Sequence, residues 1–398
     1  MAIETQQQTT KRCAHAHHVG SLLRPPRLVQ KRIAFHSDKC TAEELKALED
    51  EVLPEFVKLQ KEVGMGVITD GEVHRAMYTH GIYEALEGMT ITERPMNEFM
   101  PYLPYLQPFK AMGIERWTSI YCTGKIRRTK PVYADDFLAL KALVSPEDVP
   151  DLKITICGPA WMHLTHGSEY AYDHSVYQND EEYFADLVTA FREEIQGLYE
   201  LGCRRIQFDD PGFCFFCSEM VISAMDANGV DHEKLLNKHI SVYNAITANR
   251  PADLIIAVHS CRGNMKGLHF VEGGYERVAR KLFCEVDVDV YYLEYDTDRA
   301  GGLEPLRYLP PGKHVVLGLV TTKRGALESI ETIKERVRRA SEIIAEGEPR
   351  RSVQAALEQL SISPQCGFAS VFEGNPITEE EQKQKLALVV EAARAIWG

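Results

Sequence analysis

A histidine and a cysteine two residues apart, His259 and Cys261, close the apolar run LIIAVHSC (254–261). Side chains two apart on a strand share a face, so both can reach one ion. Glu294 lies near the end of VYYLEYD (290–296), and Cys366 near the end of LSISPQCG (360–367). An imidazole, a carboxylate and two thiols are the donor types of a borderline-soft ion of tetrahedral habit, which points to Zn2+ as cofactor. Three of these four donors are anionic when bound, so the complex is electron-rich and splits water poorly. It can still take a thiol, strip its proton and leave the sulfur nucleophilic. Spacing alone keeps a second reading open, a buried histidine beside two structural thiols, because His-x-Cys is short and the other donors are distant.

Cys214 and Cys217 form a C-x-x-C within DDPGFCFFCSEM. That spacing suits half of a structural zinc site or a redox pair. No second C-x-x-C or nearby histidine pair completes such a site, and the flanking phenylalanines indicate a packed loop. The chain has ten cysteines in 398 residues, too sparse for a disulfide framework, and a reducing, cytoplasmic setting is expected. Most are single and lie in apolar runs, as Cys157 does in KITICGP, where a thiol packs as a small hydrophobe.

Eight short, β-branched apolar runs must position these groups: HHVGS (17–21), GVITDGE (66–72), KITICGP (153–159), RRIQFDDP (204–211), LIIAVHSC, VYYLEYD, HVVLGLV (314–320) and LSISPQCG. Amphipathic helices are expected between them at 42–63, 180–201, 232–249, 272–283, 326–346 and 378–396. Strand–helix alternation with nearly continuous apolar strands predicts an α/β fold whose parallel sheet is buried on both faces. Eight such units predict a (β/α)8 TIM barrel, whose reactive groups sit at the carboxyl ends of the strands. Ser21, Glu72, Asp209, Asp210, His259, Cys261, Glu294 and Cys366 all fall there. Residues 73–152 interrupt the rhythm as a long insertion after the second strand, either a lid or a peripheral decoration. Within it, RWTSIYCTGKI (116–126) is expected to form a hairpin.

The balance of 45 basic against 58 acidic side chains, a formal charge of −13, argues against a nucleic-acid partner. No apolar run approaches the roughly 18 residues of a membrane span. The opening MAIETQQQTTKR lacks the apolar centre of a signal peptide, so residues 1–14 are expected to be a disordered tail and 15–398 a single barrel.

In their order, HVGSLLRPPRL, ITDGEVHR, IQFDDP, VHSCRGN, YYLEYDTDRAGGLEPLRYLP, VVLGLVTTK and ISPQCGFASVFEGN resemble the motifs of the cobalamin-independent methionine synthase superfamily. The resemblance spans residues 17–398 and is closest to short, single-barrel members related to the carboxyl-terminal half of the full-length enzyme. It implies a zinc-dependent S-methyltransferase that converts homocysteine to methionine, with zinc on His259, Cys261, Glu294 and Cys366. Val19, Gly20 and Ser21 resemble the turn that binds the homocysteine carboxylate, and Glu72 and Asp209 the acids that hold its ammonium group next to the reaction. The other reading makes Ser21 a turn cap and pairs the acids with Arg24, Arg75 or Arg205. Methyltetrahydrofolate is the donor the resemblance implies, but the sequence departs from the folate-using pattern. Trp161 in GPAWMHLTHG falls about three places before the tryptophan that packs on the pterin, and Thr321 stands where a proton-relaying histidine is expected. The GFCFF after DDP replaces a motif with a further acid. The expected donor is therefore simpler than polyglutamylated methylfolate, or a methylfolate bound differently. The alternative keeps zinc and alkylates another thiol, as epoxide–thiol transferases do.

Overall fold

The computed structural model describes residues 12–104, 106, 110 and 113–398. Named in chain order, its strands are β1 (Glu87–Pro95), β2 (Arg116–Arg127), β3 (Lys153–Cys157), β4 (Arg205–Asp209), β5 (Ile255–Ser260), β6 (Val290–Glu294), β7 (His314–Val320) and β8 (Leu360–Pro364). The last six form one parallel sheet in sequential order. The ring is completed by two short segments that pair through single bridges. Ala16 pairs with Ile362 of β8, Cys13 with Met65, and Ile68 with Leu152 just before β3, all parallel. Backbone bonds support each seam: His17 N–H donates to Ile362 O at 2.9 Å, Gly66 N–H to Ala16 O at 2.8 Å, and Lys153 N–H to Ile68 O at 2.9 Å. The architecture is a (β/α)8 barrel.

Two sequence expectations shift. The first strand position is 13–17 rather than 17–21; the chain leaves the sheet after His17, and Leu22 N–H donates to Gly71 O at 3.1 Å instead. Cys13 thus belongs to the barrel, Arg12 is tied to it by Nε donating to Met65 O at 3.0 Å, and residues 1–11 of the expected tail lie outside the described residues. The 116–126 hairpin does not form. With no glycine, proline, asparagine or aspartate between Trp117 and Thr123, β2 runs as one strand and pairs antiparallel with β1, Thr90 opposite Tyr121.

Strand alternation decides which residues face the barrel axis. Ile256, Val258, Tyr291 and Leu293 pack outward into the main core, whereas Ala257, Tyr292 and Val316 form a separate small cluster with Val19 inside the ring. His259 and Glu294 continue the inward set, two positions beyond Ala257 and Tyr292. The interior is partly polar. Lys153, fully buried, donates to His18 O at 2.8 Å and Gln207 Oε1 at 2.5 Å and lies 4.2 Å from the Tyr292 ring centre.

The surrounding helices start at the expected signals. Thr41 with Glu44 and Thr378 with Glu381 form capping boxes on Ala42–Val63 and Glu379–Trp397. The helix expected from 272 begins at Glu276, because Gly273 takes φ 137°, outside helical space. The insertion is anchored by side chains. Glu194 accepts Val132 N–H at 3.0 Å and Tyr133 N–H at 2.8 Å, and His74 joins Asp136 of helix Ala134–Lys141 at 2.9 Å to Asp50 of helix Ala42–Val63 at 3.2 Å. Among the described residues no helix is long and apolar enough to cross a membrane.

Candidate active site

The ends of β5, β6 and β8 converge on one spot. Donor atoms of His259, Cys261, Glu294 and Cys366 all lie within 4.8 Å of one another. The two sulfurs are 3.5 Å apart, hydrogen-bonded and not joined in a disulfide. Each donor is oriented by its surroundings. His259 Nδ1 lies 3.3 Å from Tyr292 O, which leaves Nε2 buried without a hydrogen-bond partner. Glu294 Oε1 accepts Arg262 N–H at 3.2 Å, while Oε2 has no hydrogen bond and stands 3.6 Å from Arg299. Cys261 Sγ accepts Gly263 N–H at 3.2 Å. An imidazole nitrogen and a carboxylate oxygen left without hydrogen bonds in the interior beside two thiols are a costly arrangement on their own. They suit a cation at their centre, with the outer contacts fixing each donor.

The electrostatics point the same way. A hydrogen bond from Cys261 leads the effects that pull the Cys366 thiol well below its ordinary value, and the same contact pushes Cys261 well above. Burial, then Cys366, raises Glu294 to about 8. Burial opposes protonation of His259, but Cys366, Asp209 and Glu294 outweigh it and raise it to about 9. Four donors share protons in this way, and a divalent cation bound among them would displace those protons.

The residues expected to hold a thiol's polar end adjoin this set. One cavity is lined by Val19, Ser21, Glu72 and Asp209 together with His259, Cys261 and Cys366. Gly20 lies behind the lining and touches Glu72: a Cβ there would come within 2.7 Å of Glu72 Oε1 and 2.8 Å of Thr155 Cγ2. Glu72 Oε1 accepts from Thr155 Oγ1 at 3.0 Å and Oε2 is unpartnered. Glu72 also holds φ 56°, an unusual backbone angle for a non-glycine residue. Asp209 accepts from Gln207 Nε2 at 2.6 Å, and burial followed by the Glu72 charge raises it to about 7.

The arginine pairing weighed for these acids is absent among the described residues. Arg24 binds the backbone oxygens of Glu72 and Ala369, Arg75 reaches Thr155 and Asp70, and Arg205 pairs with Asp151. Ser21 does tie a turn, since its Oγ accepts Ala369 N–H at 3.2 Å, and it lines the cavity as well.

Asp210 turns away, bonded to Tyr243 OH at 2.7 Å and Gly212 N–H at 2.7 Å. Cys214 and Cys217 are buried free thiols that bond to Ser260 O and Phe213 O, and among the described residues they belong to no ligand cluster. Thr321 is buried, its N–H given to Glu328 at 2.9 Å, and it does not line the cavity. Trp161 does, from the first turn of helix Trp161–Tyr170.

Sequence reading missed Asn264, whose Nδ2 donates to Gly367 O at 2.7 Å, and Lys323, which donates to Gly263 O at 2.9 Å and Asn264 Oδ1 at 3.1 Å. Both clamp the loops that carry the cysteines. Asn264 lies inside VHSCRGN, so its nearness to Cys261 was a usable signal. Nothing local marks Phe270 or Met265, which also line the cavity.

Residues 157–395 match the family described as "Cobalamin-independent synthase, Catalytic domain". The protein is similar to the uncharacterized protein YxjH of Bacillus subtilis, 34% identical with 96% of this chain and 94% of that one covered. It is also similar to a methionine synthase of Saccharolobus solfataricus, 24% identical over 92% of this chain and 95% of that one. Among solved structures, a putative vitamin-B12 independent methionine synthase from Listeria monocytogenes superposes with a TM-score of 0.71 at 32% identity, covering 98% of this chain and 99% of that one.

Proposed function

The chain belongs to the cobalamin-independent synthase catalytic-domain family, and from that membership and the site we propose that it is a zinc-dependent thiol S-methyltransferase acting on homocysteine to give methionine. The observation that carries this reading is one cavity lined by Glu72 and Asp209 together with His259, Cys261 and Cys366. In this reading His259, Cys261, Glu294 and Cys366 hold the zinc, which when bound favours the thiolate form of a thiol at neutral pH.

The protein's own groups do the rest. Glu72 and Asp209 take the substrate ammonium, a pair of carboxylates for one cation. The Ser21 hydroxyl and the backbone around Val19 and Gly20 take its carboxylate. Those two anchors fix the amino acid at its polar end, so the sulfur extends toward Cys261 and Cys366. Gln207 holds the Asp209 carboxylate and Val19 O together, donating to both at 2.6 and 2.9 Å. Trp161, Met265 and Phe270 exclude water from the far wall, so the thiol and a methyl group meet without a competing nucleophile.

Metal analysis, then X-ray absorption at the zinc edge with and without homocysteine, tests the reading. An added sulfur ligand together with methionine formation supports it. A shell unchanged by homocysteine overturns it.

A further inference from the structure

A second cavity adjoins the first, and Tyr78, Trp161 and Phe270 are part of the wall they share. Its outer side is built by the insertion, from Phe99 and, on β1 and β2, Ile91 and Trp117. The insertion is therefore part of a chamber adjoining the thiol site. The chamber's chemistry is one-sided. Among its described lining residues there is no lysine or arginine, and the ionisable side chains other than tyrosine are His80 and Glu84, 3.3 Å apart. An anionic donor, such as a folate bearing glutamates, would shed its hydration there and meet no counter-ion. A cationic donor would instead meet aromatic rings.

The leaving group gives a second argument. A methyl group carried on a neutral amine can depart only if the nitrogen is protonated. Apart from His80, Glu84 and the indole N–H groups of Trp117 and Trp161, which do not act as acids, the polar side chains of this wall are hydroxyls, and that of Thr165 already donates to Trp161 O at 2.5 Å. Threonine and serine hydroxyls are poor acids near neutral pH.

We propose that this chamber holds the methyl donor and that the donor is a compact methylsulfonium, an inference that rests on the thiol-methylation reading above. The step then balances without an acid. The thiolate electron pair forms the new sulfur–carbon bond, the methyl–sulfonium bond breaks with its pair left on the departing sulfur, and a neutral thioether leaves. A negative and a positive charge cancel in the transition state, which an apolar wall favours over water.

Calorimetric titration of the zinc-loaded protein with trimethylsulfonium, a probe with no amino-acid groups, reads the chamber apart from catalysis. Trp117 lines this cavity and not the first, so Trp117→Ala is expected to weaken binding about tenfold, with most of it restored in Trp117→Phe and homocysteine affinity unchanged in both. Methyl transfer to homocysteine is expected from trimethylsulfonium or S-methyl-L-methionine and not from 5-methyltetrahydrofolate. Sulfonium binding indifferent to Trp117, or failure of both sulfoniums to methylate homocysteine that does add sulfur to the metal shell, overturns the donor assignment alone. If homocysteine leaves the shell unchanged, the thiol reading falls instead, and the Trp117 titration still decides whether the chamber binds a sulfonium.

Discussion

Gly367 lies against Ser21 so closely that a Cβ at 367 would collide with the Ser21 hydroxyl. Gly367→Ala is therefore expected to displace Ser21 and weaken homocysteine binding about tenfold, a moderate overpacking effect, with metal content unchanged. Equilibrium binding beside metal analysis checks this; a metal-free variant would show that the strain had spread to Cys366. The acids make a sharper test. Removing one charge-assisted bond costs about 1.5–3 kcal/mol, so Glu72→Gln and Asp209→Asn should bind homocysteine roughly ten- to a hundredfold more weakly. Both should bind 4-mercaptobutanoate, which lacks the ammonium, as the parent does. Equal losses for the two thiols would remove these residues from ammonium recognition. At this scale the sequence was informative because strand parity places alternate residues on one face. His259 and Cys261 needed only that rule. Lys323 was not legible, because its role comes from folding back over Gly263 and Asn264, about sixty positions away.

Helices, strands and their anchors carry a different kind of dependence. His74 holds helix Ala134–Lys141 of the insertion to helix Ala42–Val63 through Asp136 and Asp50. Burial opposes its protonation, but the bond to Asp136 and the surrounding acids raise it from 6.5 to about 9. A histidine pKa raised on folding stabilises fully below the unfolded value and loses that contribution as pH climbs through the folded one. Melting temperature is expected to fall by about 2–4 °C between pH 6.5 and 9.5 more in the parent than in His74→Gln. Parallel melting curves across that window would show that the contact adds nothing. The six barrel strands and most helices were readable from apolar runs and capping signals. The β1–β2 ribbon was not, because its partners are separated by residues 96–115 and neither strand has a turn residue that names the other.

For the molecule as a whole, the proposed metal site would clasp together parts of the chain that are far apart in sequence. Cys261 and Cys366 are 105 positions apart, and Glu294 lies between them on β6. A cation that binds this folded arrangement and not the unfolded chain raises apparent stability. Chelator-treated protein is expected to melt about 5 °C or more below the zinc-reloaded form by calorimetry. Identical transitions would mean that the four side chains hold no ion. The closing seam has a consequence in time. His15 meets Leu360 O at 2.8 Å across 345 positions, and the chain between that seam and Leu22 carries Val19, Gly20 and Ser21. During synthesis this segment can pair early with Met65 and Gly66, but its other seam must wait for β8, 345 positions later. Cys366 follows that strand, so a nascent chain can neither close its ring nor bring together the four proposed ligands before residue 366 has emerged.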